Sequence, residues 1–283
     1  MPPVLPLLAA LVATTAPPGA HRPDVPVEAY VTFASAPAFD SATLVRFRGN
    51  PIGSGVLVAP RWVLTAAHFT APLPDGSLSA EVGGRVVAVG SVVTHPHFGS
   101  DRPEGVPGVD LALLRLAEPV ASLAPAVLHA VPHDGSEIGR VGAIVGFGSV
   151  ADATARLRDT GGALGRRIGG LNRIDTDDAS TYGDRYAWIE PDGQTLYADF
   201  DWPAGDAPED QPLDLEYVPL LGDSGAPLFV ETDGVWRLAA ITRGAIGPDR
   251  NDGLRDRPVY EALAAFTRLA PHRAWLHATV SQP

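Results

Sequence analysis

Residues 220–229 read LLGDSGAPLF and place one serine close between two glycines. An apolar approach leads into Gly-Asp-Ser-Gly, and an apolar segment follows it. Gly222 and Gly225 allow backbone conformations that are closed to residues with a Cβ atom. A tight turn built on them can direct backbone N–H groups at a point in front of the Ser224 oxygen, as an oxyanion hole requires. Because a serine hydroxyl alone is a weak nucleophile, the chain must also supply a general base and a group that orients it.

Two upstream segments supply candidates for both partners. Residues 53–68 read GSGVLVAPRWVLTAAH and end at His68. Residues 108–116 read GVDLALLRL and contain Asp110. Each segment alone is a weak signal, but the three motifs in the order His, Asp, Ser form a specific pattern. In such a triad Ser224 attacks the substrate carbonyl, the histidine exchanges its proton, and the aspartate holds the imidazole tautomer.

The three motifs together resemble those of the chymotrypsin-like serine peptidases, and the segments at residues 166–172 and 196–201 are similar to segments of some bacterial members. The resemblance extends from about residue 45 to residue 276 and is weakest between residues 150 and 215. It implies an all-β fold of two antiparallel six-stranded Greek-key β-barrels with a C-terminal α-helix, and a triad at their junction. It also implies an oxyanion hole made by the N–H groups of Gly222 and Ser224, and hydrolysis of peptide bonds through an acyl-enzyme on Ser224.

Composition also favours an all-β protein. The 283 residues include 30 glycines and 28 prolines, spread between many short apolar runs, which is typical of short strands joined by turns. Residues 30–33 (YVTF) are predicted to form an edge strand, and residues 258–260 the last strand. Residues 262–276 are predicted to form the terminal helix, because apolar residues recur there at helical spacing, with a break at Pro271.

Charge and cysteine content exclude several functions. The net charge of −12 disfavours nucleic-acid binding, which requires a basic surface. The absence of cysteine excludes disulfides, a thiolate nucleophile and cysteine-based metal sites. No run after the N-terminal region is long enough to be a transmembrane helix. We therefore predict a monomer that acts on a protein or peptide substrate, without a cofactor and without nucleic-acid or membrane partners.

The N-terminal region predicts export. Residues 4–12 form an apolar stretch that is too short to span a bilayer, and small residues and prolines follow it. This pattern predicts a signal peptide over residues 1–20, cleaved after Ala16 or Ala20, and hence a secreted protein. The rest of the chain is predicted to divide into a first lobe with its linker, residues 28–135, and a second lobe with the terminal helix, residues 136–283.

The resemblance implies substrate contacts that are found by counting from Ser224. Relatives that cleave after Lys or Arg carry an acid six residues earlier, where this chain has Val218. We therefore predict cleavage after uncharged residues that are small to medium in size and apolar. Thr242, Arg243 and Gly244 stand where the family pairs with substrate backbone, but Arg243 replaces the usual aromatic residue. A solvated surface position for Arg243 is equally consistent with the sequence.

Asp223 is predicted to be structural rather than catalytic. In the family this aspartate pairs with a buried cation, often an N-terminal amine released by cleavage after a basic residue. No such start is visible in the sequence, and an unpaired buried carboxylate would be costly. The partner is therefore expected to be an internal arginine, with Arg140, Arg166 and Arg167 as candidates, or else an unusual mature terminus.

Two further patterns resemble metal sites only superficially. His95 and His97 are close in sequence, but the family often has His-Pro-x-aromatic at this place, which disfavours a ligand role. Asp199 and Asp201 could contribute to a Ca²⁺ site, but two carboxylates are too few to define one. No metal site is predicted.

Two other functions are alternatives to peptidase activity. A catalytically silent relative that binds peptides or proteins remains an alternative, because Arg243 departs from the family and the partner of Asp223 is not evident. An esterase of the α/β-hydrolase class is disfavoured by motif order, since that class runs Ser, acid, His around G-x-S-x-G. Here Gly225 directly follows Ser224, and His68 comes first.

Overall fold

A computed structural model of the chain describes residues 19–74, 76–99, 109–129, 135–155, 164–186, 189, 192–201, 212–246 and 262–282. Most of the predicted signal peptide and the predicted last strand at residues 258–260 lie outside these ranges. Within them the chain is mostly strand, arranged in two lobes with a short C-terminal helix. No helix in the described ranges has both the length and the apolar character needed to cross a membrane.

The N-terminal segment forms a short strand, β1 (Gly19–His21), and a helix, α1 (Val27–Ala34). The predicted edge strand at residues 30–33 is therefore wrong. Its residue types favour a strand, but Tyr30 and Ala34 are four residues apart and share the buried face of the helix. The tyrosine joins the hydrophobic core of the second lobe, so burial of this face decides the local structure.

The first lobe is a closed six-stranded barrel with strand order β2-β3-β4-β7-β6-β5. Its interior is filled by branched aliphatic side chains, among them Val45, Leu57 and Leu114, which have no exposed surface. A one-turn helix, α2, follows β4. The elements are β2 (Ala42–Phe47), β3 (Asn50–Ala59), β4 (Trp62–Thr65), α2 (Ala67–Thr70), β5 (Leu78–Val82), β6 (Arg85–Thr94) and β7 (Ala112–Leu116).

The second lobe contains two sheets. Its strands are β8 (Val141–Gly146), β9 (Val150–Asp152), β10 (Ile168–Arg173), β11 (Thr195–Ala198), β12 (Tyr217–Val218), β13 (Pro227–Thr232), β14 (Val235–Ile246) and β15 (Leu263–Arg268). The main sheet has the order β10-β8-β13-β14-β15-β11, and a small sheet has the order β12-β1-β9. A single antiparallel bridge between Thr176 and Tyr197 joins β11 back towards the end of β10. With this bridge counted, the main sheet has the same cyclic neighbour order as the first barrel.

The predicted all-β fold of two six-stranded units with a terminal helix is confirmed, with one barrel closed and the other a half-barrel. The predicted extent of the helix is wrong, because Leu263–Arg268 is strand β15 and only α3 (Arg273–Val280) is α-helical. All six residues of β15 are buried, and a strand covered on both faces shows no alternation that would distinguish it from a helix. Short 3₁₀ turns occupy Pro37–Phe39, Ala179–Tyr182, Asp184–Tyr186 and Ala270–His272.

Candidate active site

His68 and Asp110 are brought together by two neighbouring strands of the first barrel. Strands β4 and β7 are antiparallel, and Thr65, at the end of β4, lies opposite Ala112, at the start of β7. His68 lies in α2, three residues beyond Thr65, and Asp110 lies two residues before Ala112. The end of one strand and the start of the next therefore place both side chains at the same edge of the barrel.

The contact between these two residues is double. The backbone N–H of His68 donates to Asp110 Oδ1 at 2.8 Å, and the ring Nδ1 lies 2.7 Å from Asp110 Oδ2. The Asp110 side chain is 1% exposed, whereas the imidazole is 35% exposed. A buried carboxylate on Nδ1 favours the tautomer that carries its proton there, which leaves the Nε2 lone pair directed away from Asp110.

The Ser224 hydroxyl lies on the far side of this imidazole. His68 Nε2 is 3.0 Å from Ser224 Oγ, within hydrogen-bonding distance. The serine comes from the second lobe, in the turn between β12 and β13, so the site spans the junction of the lobes. Asp110, His68 and Ser224 thus form one continuous hydrogen-bonded path from a buried carboxylate to a partly exposed hydroxyl.

Ser54, on β3 of the first barrel, ties the nucleophile turn to that barrel. Its N–H donates to the Ser224 carbonyl at 2.8 Å, and its hydroxyl donates to the Gly222 carbonyl at 2.9 Å. Gly225 has φ +86°, and a Cβ atom there would lie 2.1 Å from the Ser54 carbonyl oxygen. Only glycine allows the turn to approach the first barrel this closely.

The N–H groups of Gly222 and Ser224 are the two donors that the sequence predicts to form an oxyanion hole. The Ser149 N–H donates to the Leu221 carbonyl at 2.7 Å. Because the carbonyl and the N–H of a trans peptide point in opposite directions, this bond turns the Gly222 N–H the other way, away from Ser149. Within the described residues, neither the Gly222 N–H nor the Ser224 N–H donates to any acceptor. Two adjacent unused donors beside a nucleophile can bind a developing oxyanion.

The residues predicted to contact substrate differ in their exposure. The Thr242 side chain is buried, and its carbonyl accepts from the Gly225 N–H at 2.9 Å, so it supports the nucleophile turn. Arg243 lies at a β-bulge, between Thr242 and Gly244 in the pairing of β14 with β15, and its carbonyl is 3.4 Å from Ser224 Oγ. Its guanidinium donates to the Thr195 hydroxyl at 2.9 Å.

Val218 does not reach the surface in this structure. Its side chain has no exposed area and lies in the core of the second lobe, and its backbone pairs with Ala20 of β1. Its place at the bottom of a substrate pocket therefore stays a prediction.

The expected arginine partner of Asp223 is wrong. Arg140 donates to the carbonyls of Ser136 and Glu231, Arg167 pairs with Asp40 at 3.1 Å, and the Arg166 side chain is exposed. The Asp223 carboxylate, which has no exposed surface, instead accepts hydrogen bonds from three neutral groups. These are the backbone N–H groups of Gly148 and Leu220 and the hydroxyl of Tyr217, each at 2.9 Å. Three such donors can stabilise a buried carboxylate without a cation.

The histidine pair lies in an apolar setting. The His95 ring packs edge-on against His272 and Trp275, with ring centroids 4.8 and 4.7 Å away. Burial, with a smaller effect from the charge of His97, lowers the pKa of His95 to about 4, so this ring is neutral at physiological pH. Among the residues that the structure describes, no group of three or more His, Asp or Glu side chains is arranged to hold a metal ion.

Asp199 and Asp201 lie close to other carboxyl groups. Burial, and then the charges of Asp201, Asp199 and Asp175, raise the pKa of Glu216 to about 8. The Asp175 carboxylate accepts from the Asp199 N–H at 3.2 Å. Asp199 and Asp201 therefore belong to an acidic cluster of the second lobe in which Glu216 is mainly protonated at neutral pH.

Sequence reasoning missed two residues that support the site, Ser54 and Tyr217. Ser54 lies in the Gly-Ser-Gly motif at the start of the quoted histidine segment, so its small-residue setting was visible. Tyr217 carries no motif, and its only sequence signal is a position beside the predicted pocket residue Val218. Its role depends on a tertiary contact with Asp223 that spacing alone does not reveal.

Comparisons with known proteins agree with this fold and geometry. The family model described as Trypsin matches residues 34–163. Chymotrypsin-like elastase family member 1 of Macaca fascicularis is 25% identical over 237 residues, which cover 80% of this chain and 78% of that protein. The human protein of the same name is 36% identical over 90 residues, covering 29% of this chain and 34% of its own length.

A trypsin of Simulium vittatum is 33% identical over 72 residues, which cover 23% of this chain and 28% of that protein. These matches confirm the resemblance to the chymotrypsin-like serine peptidases that was inferred from the motifs. The narrower similarity to bacterial members stays a prediction.

Proposed function

We propose that the protein is a secreted serine endopeptidase that hydrolyses peptide bonds through an acyl-enzyme on Ser224. The observation that carries this proposal is the hydrogen-bonded path from Asp110 through His68 to Ser224 Oγ, with contacts of 2.7 and 3.0 Å. A path of this kind supplies the base and the orienting group that a serine nucleophile needs.

The proposed mechanism assigns one role to each group. Ser224 Oγ attacks the scissile carbonyl while His68 Nε2 takes its proton, and Asp110 stabilises the imidazolium that forms. The N–H groups of Gly222 and Ser224 bind the oxyanion of the tetrahedral intermediate. Collapse of the intermediate expels the amine, which receives the proton from His68. A water molecule then attacks the acyl-enzyme with the same base and the same oxyanion hole.

The proposed substrate is a protein or peptide with an uncharged, small to medium apolar residue before the scissile bond. Val218 supports this preference, because it stands where an acid would attract a cationic side chain. Thr242, Arg243 and Gly244 are proposed to pair with the substrate backbone. A peptide library should show cleavage mainly after such residues, whereas dominant cleavage after Lys or Arg would contradict the assignment of Val218.

Export is proposed from the predicted signal peptide over residues 1–20. Ala20 is fully buried within β1, so cleavage after Ala16 would keep this strand whole, whereas cleavage after Ala20 would divide it. We therefore favour processing after Ala16. N-terminal mass spectrometry of the secreted protein tests this, and a mature chain that begins at His21 would contradict it.

A fluorophosphonate probe tests the catalytic assignment. The purified protein should be labelled with one probe per chain at Ser224, and Ser224→Ala should abolish both labelling and peptide hydrolysis. His68→Ala should reduce the rate about as strongly, since triad members act as a unit. Ser35→Ala is the matched control, because this serine is exposed at the end of α1 and its hydroxyl donates to the Val31 carbonyl.

Labelling of Ser224→Ala equal to that of the unmodified protein would refute the nucleophile. Absence of labelling in a folded unmodified protein would instead favour the catalytically silent, peptide-binding alternative.

A further inference from the structure

We propose that Tyr217 is a positioning residue for the oxyanion hole, and that its hydroxyl replaces the cation that the family resemblance implies for Asp223. The site would then be assembled without an N-terminal amine released by cleavage. This inference rests on the proposed peptidase function and concerns how its nucleophile turn is held.

The contact lies in a fully buried setting. Neither Tyr217 nor Asp223 has exposed surface, and the tyrosine hydroxyl donates to Asp223 Oδ2 at 2.9 Å. The Leu220 N–H donates to the same oxygen at 2.9 Å, and the Gly148 N–H donates to Oδ1 at 2.9 Å. Both carboxylate oxygens are therefore satisfied by neutral donors, and an ionised carboxylate is an acceptor only.

The segment between β8 and β9, which lies beside the carboxylate, leaves space for it at Gly148. A Cβ atom on Gly148 would lie 2.6 Å from Asp223 Cγ and 2.7 Å from each carboxylate oxygen. Such distances would force one of the two groups to move. Glycine at this position allows the carboxylate to lie directly against the backbone, where the Gly148 N–H can reach it.

The same contacts fix the two donors of the oxyanion hole. Asp223 lies between Gly222 and Ser224 in the chain, so anchoring its side chain restrains the peptide groups on both sides. The next residue after Gly148 is Ser149, whose N–H holds the Leu221 carbonyl at 2.7 Å. A shift of the carboxylate would therefore disturb both the turn and the segment between β8 and β9 that orients the Gly222 N–H.

The N-terminal segment supports Tyr217 through its backbone. Strand β1 pairs antiparallel with β12, with Ala20 opposite Val218 and His21 opposite Tyr217. The Tyr217 carbonyl also accepts from Asn172 Nδ2 at 3.1 Å. The segment thus acts as a paired strand beside the tyrosine, and this contact does not require a free terminus.

The charge states of the pair agree with this geometry. Burial raises the pKa of Asp223 to about 6, although the three donors lower it, so the group is ionised at neutral pH. Burial and the nearby carboxylate raise the pKa of Tyr217 well above its usual value, so its hydroxyl remains a donor. Among the described residues, no cation forms an ion pair with Asp223.

The sequence makes a decisive test possible because it contains no lysine; all 21 of its Lys and Arg residues are arginines. The α-amino group is therefore the only aliphatic amine of the chain; after cleavage behind Ala16 it is the secondary amine of Pro17, which also reacts with activated esters. Succinimidyl acetate blocks this amine, and subsequent hydroxylamine removes acetyl groups from hydroxyls. Mass spectrometry should then show a single acetyl group on the chain.

The acetylated protein should keep its kcat for a peptide substrate and its reactivity with the fluorophosphonate probe. Loss of both kcat and probe reactivity after acetylation, with the fold retained, would show that an amine holds Asp223. This result would overturn the inference about Tyr217 and leave the proposed peptidase function standing. If the folded, unmodified protein already fails to react, the proposed function fails, and the positioning role of Tyr217 fails with it.

A second test removes only the hydroxyl. Tyr217→Phe should lower kcat by about 10- to 100-fold with little change in KM, because the oxyanion donors act mainly in the transition state. The matched control is Tyr30→Phe. Tyr30 is a fully buried tyrosine of the same core, and its hydroxyl accepts from the Arg22 N–H instead of donating to Asp223. Equal losses of kcat in the two variants, or a change confined to KM, would overturn the inference.

The coupling between the two residues can also be measured without activity. Tyr217→Phe should lower the urea midpoint of the otherwise unmodified protein, but should have little effect in an Asp223→Ala background. Equal shifts in both backgrounds would show that the hydroxyl does not act through Asp223 and would overturn the inference.

Discussion

The two lobes share one cyclic strand order, yet they hold their members of the proposed triad by different means. In the first lobe, His68 and Asp110 lie at the ends of neighbouring strands of a closed barrel. In the second lobe, Ser224 lies in a turn outside the strands, and polar side chains hold that turn in place. Ser54, Tyr217 and Asp223 make these contacts.

This difference predicts two kinds of failure. In the first lobe the backbone ladder fixes the geometry, so a polar substitution at the site should change the chemistry and leave the positions intact. In the second lobe the polar contacts are themselves the scaffold of the turn. A polar substitution there should displace the backbone donors while the nucleophile remains present.

Asp110→Asn should have the largest effect among the variants that test this comparison. The amide can still accept the His68 N–H, but its NH₂ group would face Nδ1 and favour the wrong imidazole tautomer. We expect kcat to fall by about 10⁴-fold. Steady-state kinetics, with circular dichroism as a check of the fold, would measure this.

The comparison would fail if Asp110→Asn lowered kcat less than Asp223→Asn. It would also fail if the Asp110 variant lost its tertiary structure, since the closed barrel should persist without the carboxylate charge.

The three side chains that the structure brings together could be selected from the sequence because their motifs are local. Gly-Asp-Ser-Gly and Thr-Ala-Ala-His each carry their chemistry within a few residues, and strand pairing brings them together. The partner of Asp223 could not be predicted in this way. Backbone N–H groups leave no mark in a sequence, and the Tyr217 hydroxyl reaches the carboxylate only through the fold. The expectation of an arginine assumed that only a cation stabilises a buried carboxylate.

The fold was predictable to a similar degree. The two-lobed all-β architecture followed from the motifs and from the short apolar runs. The errors fell where apolar spacing was compatible with both helix and strand, at α1 and β15. There the tertiary environment decided, because the helix buries one face whereas β15 is covered on both.

The second lobe also contains a buried ion pair that should matter for stability. Arg268, on β15, donates to Glu137 at 2.6 and 3.0 Å, and both side chains are 1% exposed. Glu137→Gln would leave the buried guanidinium with only a longer ion pair to the partly exposed Asp177, at 3.4 Å, so we expect a loss of about 3 kcal/mol in the free energy of unfolding. Urea denaturation at neutral pH measures this loss.

The pH dependence of this variant has a defined sign. Burial raises the pKa of Glu137, but the hydrogen bonds and charge of Arg268 outweigh it, so the pKa in the folded state is lowered. A lowered pKa contributes stability above the unfolded value, which is lost as the pH falls. The stability difference between the unmodified protein and Glu137→Gln should therefore shrink in acid. A difference that grows on acidification would contradict the pairing.

Asp223→Asn should affect activity next most strongly. In one orientation of the asparagine amide its NH₂ group would face the Gly148 N–H, and in the other it would face the Leu220 N–H. In either case one buried donor would lose its acceptor. We expect kcat to fall by about 10²–10³-fold through the displaced oxyanion hole, although Ser224 is still present. Unchanged kcat would show that the turn does not depend on this carboxylate.

The same carboxylate gives a stability trend opposite to that of Glu137. The pKa of Asp223 in the folded state, about 6, exceeds its ordinary value of 3.8. The contribution of this group to the free energy of unfolding is therefore full below about pH 4 and is lost as the pH rises to 6. The loss corresponds to about 3 kcal/mol. The groups that face Asp223 are the Tyr217 hydroxyl and two backbone N–H groups, none of which titrates in this range. The unmodified protein should lose stability relative to Asp223→Asn over this interval.

Glu81→Gln in the first barrel should have the smallest effect. Arg46, on β2, donates to Glu81, on β5, at 2.6 and 3.1 Å, so this pair resembles Arg268–Glu137 in geometry and bridges two neighbouring strands. It differs in exposure, with side chains that are 23% and 32% accessible. Water can replace the lost contact, so we expect a change of only about 0.2–1 kcal/mol, smaller still in high salt.

The strand pairing from Leu44 opposite Glu81 to Phe47 opposite Leu78 should keep this side of the barrel closed without the ion pair. Activity of Glu81→Gln should therefore equal that of the unmodified protein, because His68 and Asp110 depend on the pairing of β4 with β7. Urea denaturation at low and high salt, run beside Glu137→Gln, measures both ion pairs. Equal losses in the two variants would mean that the closed barrel depends on polar side chains as much as the second lobe does.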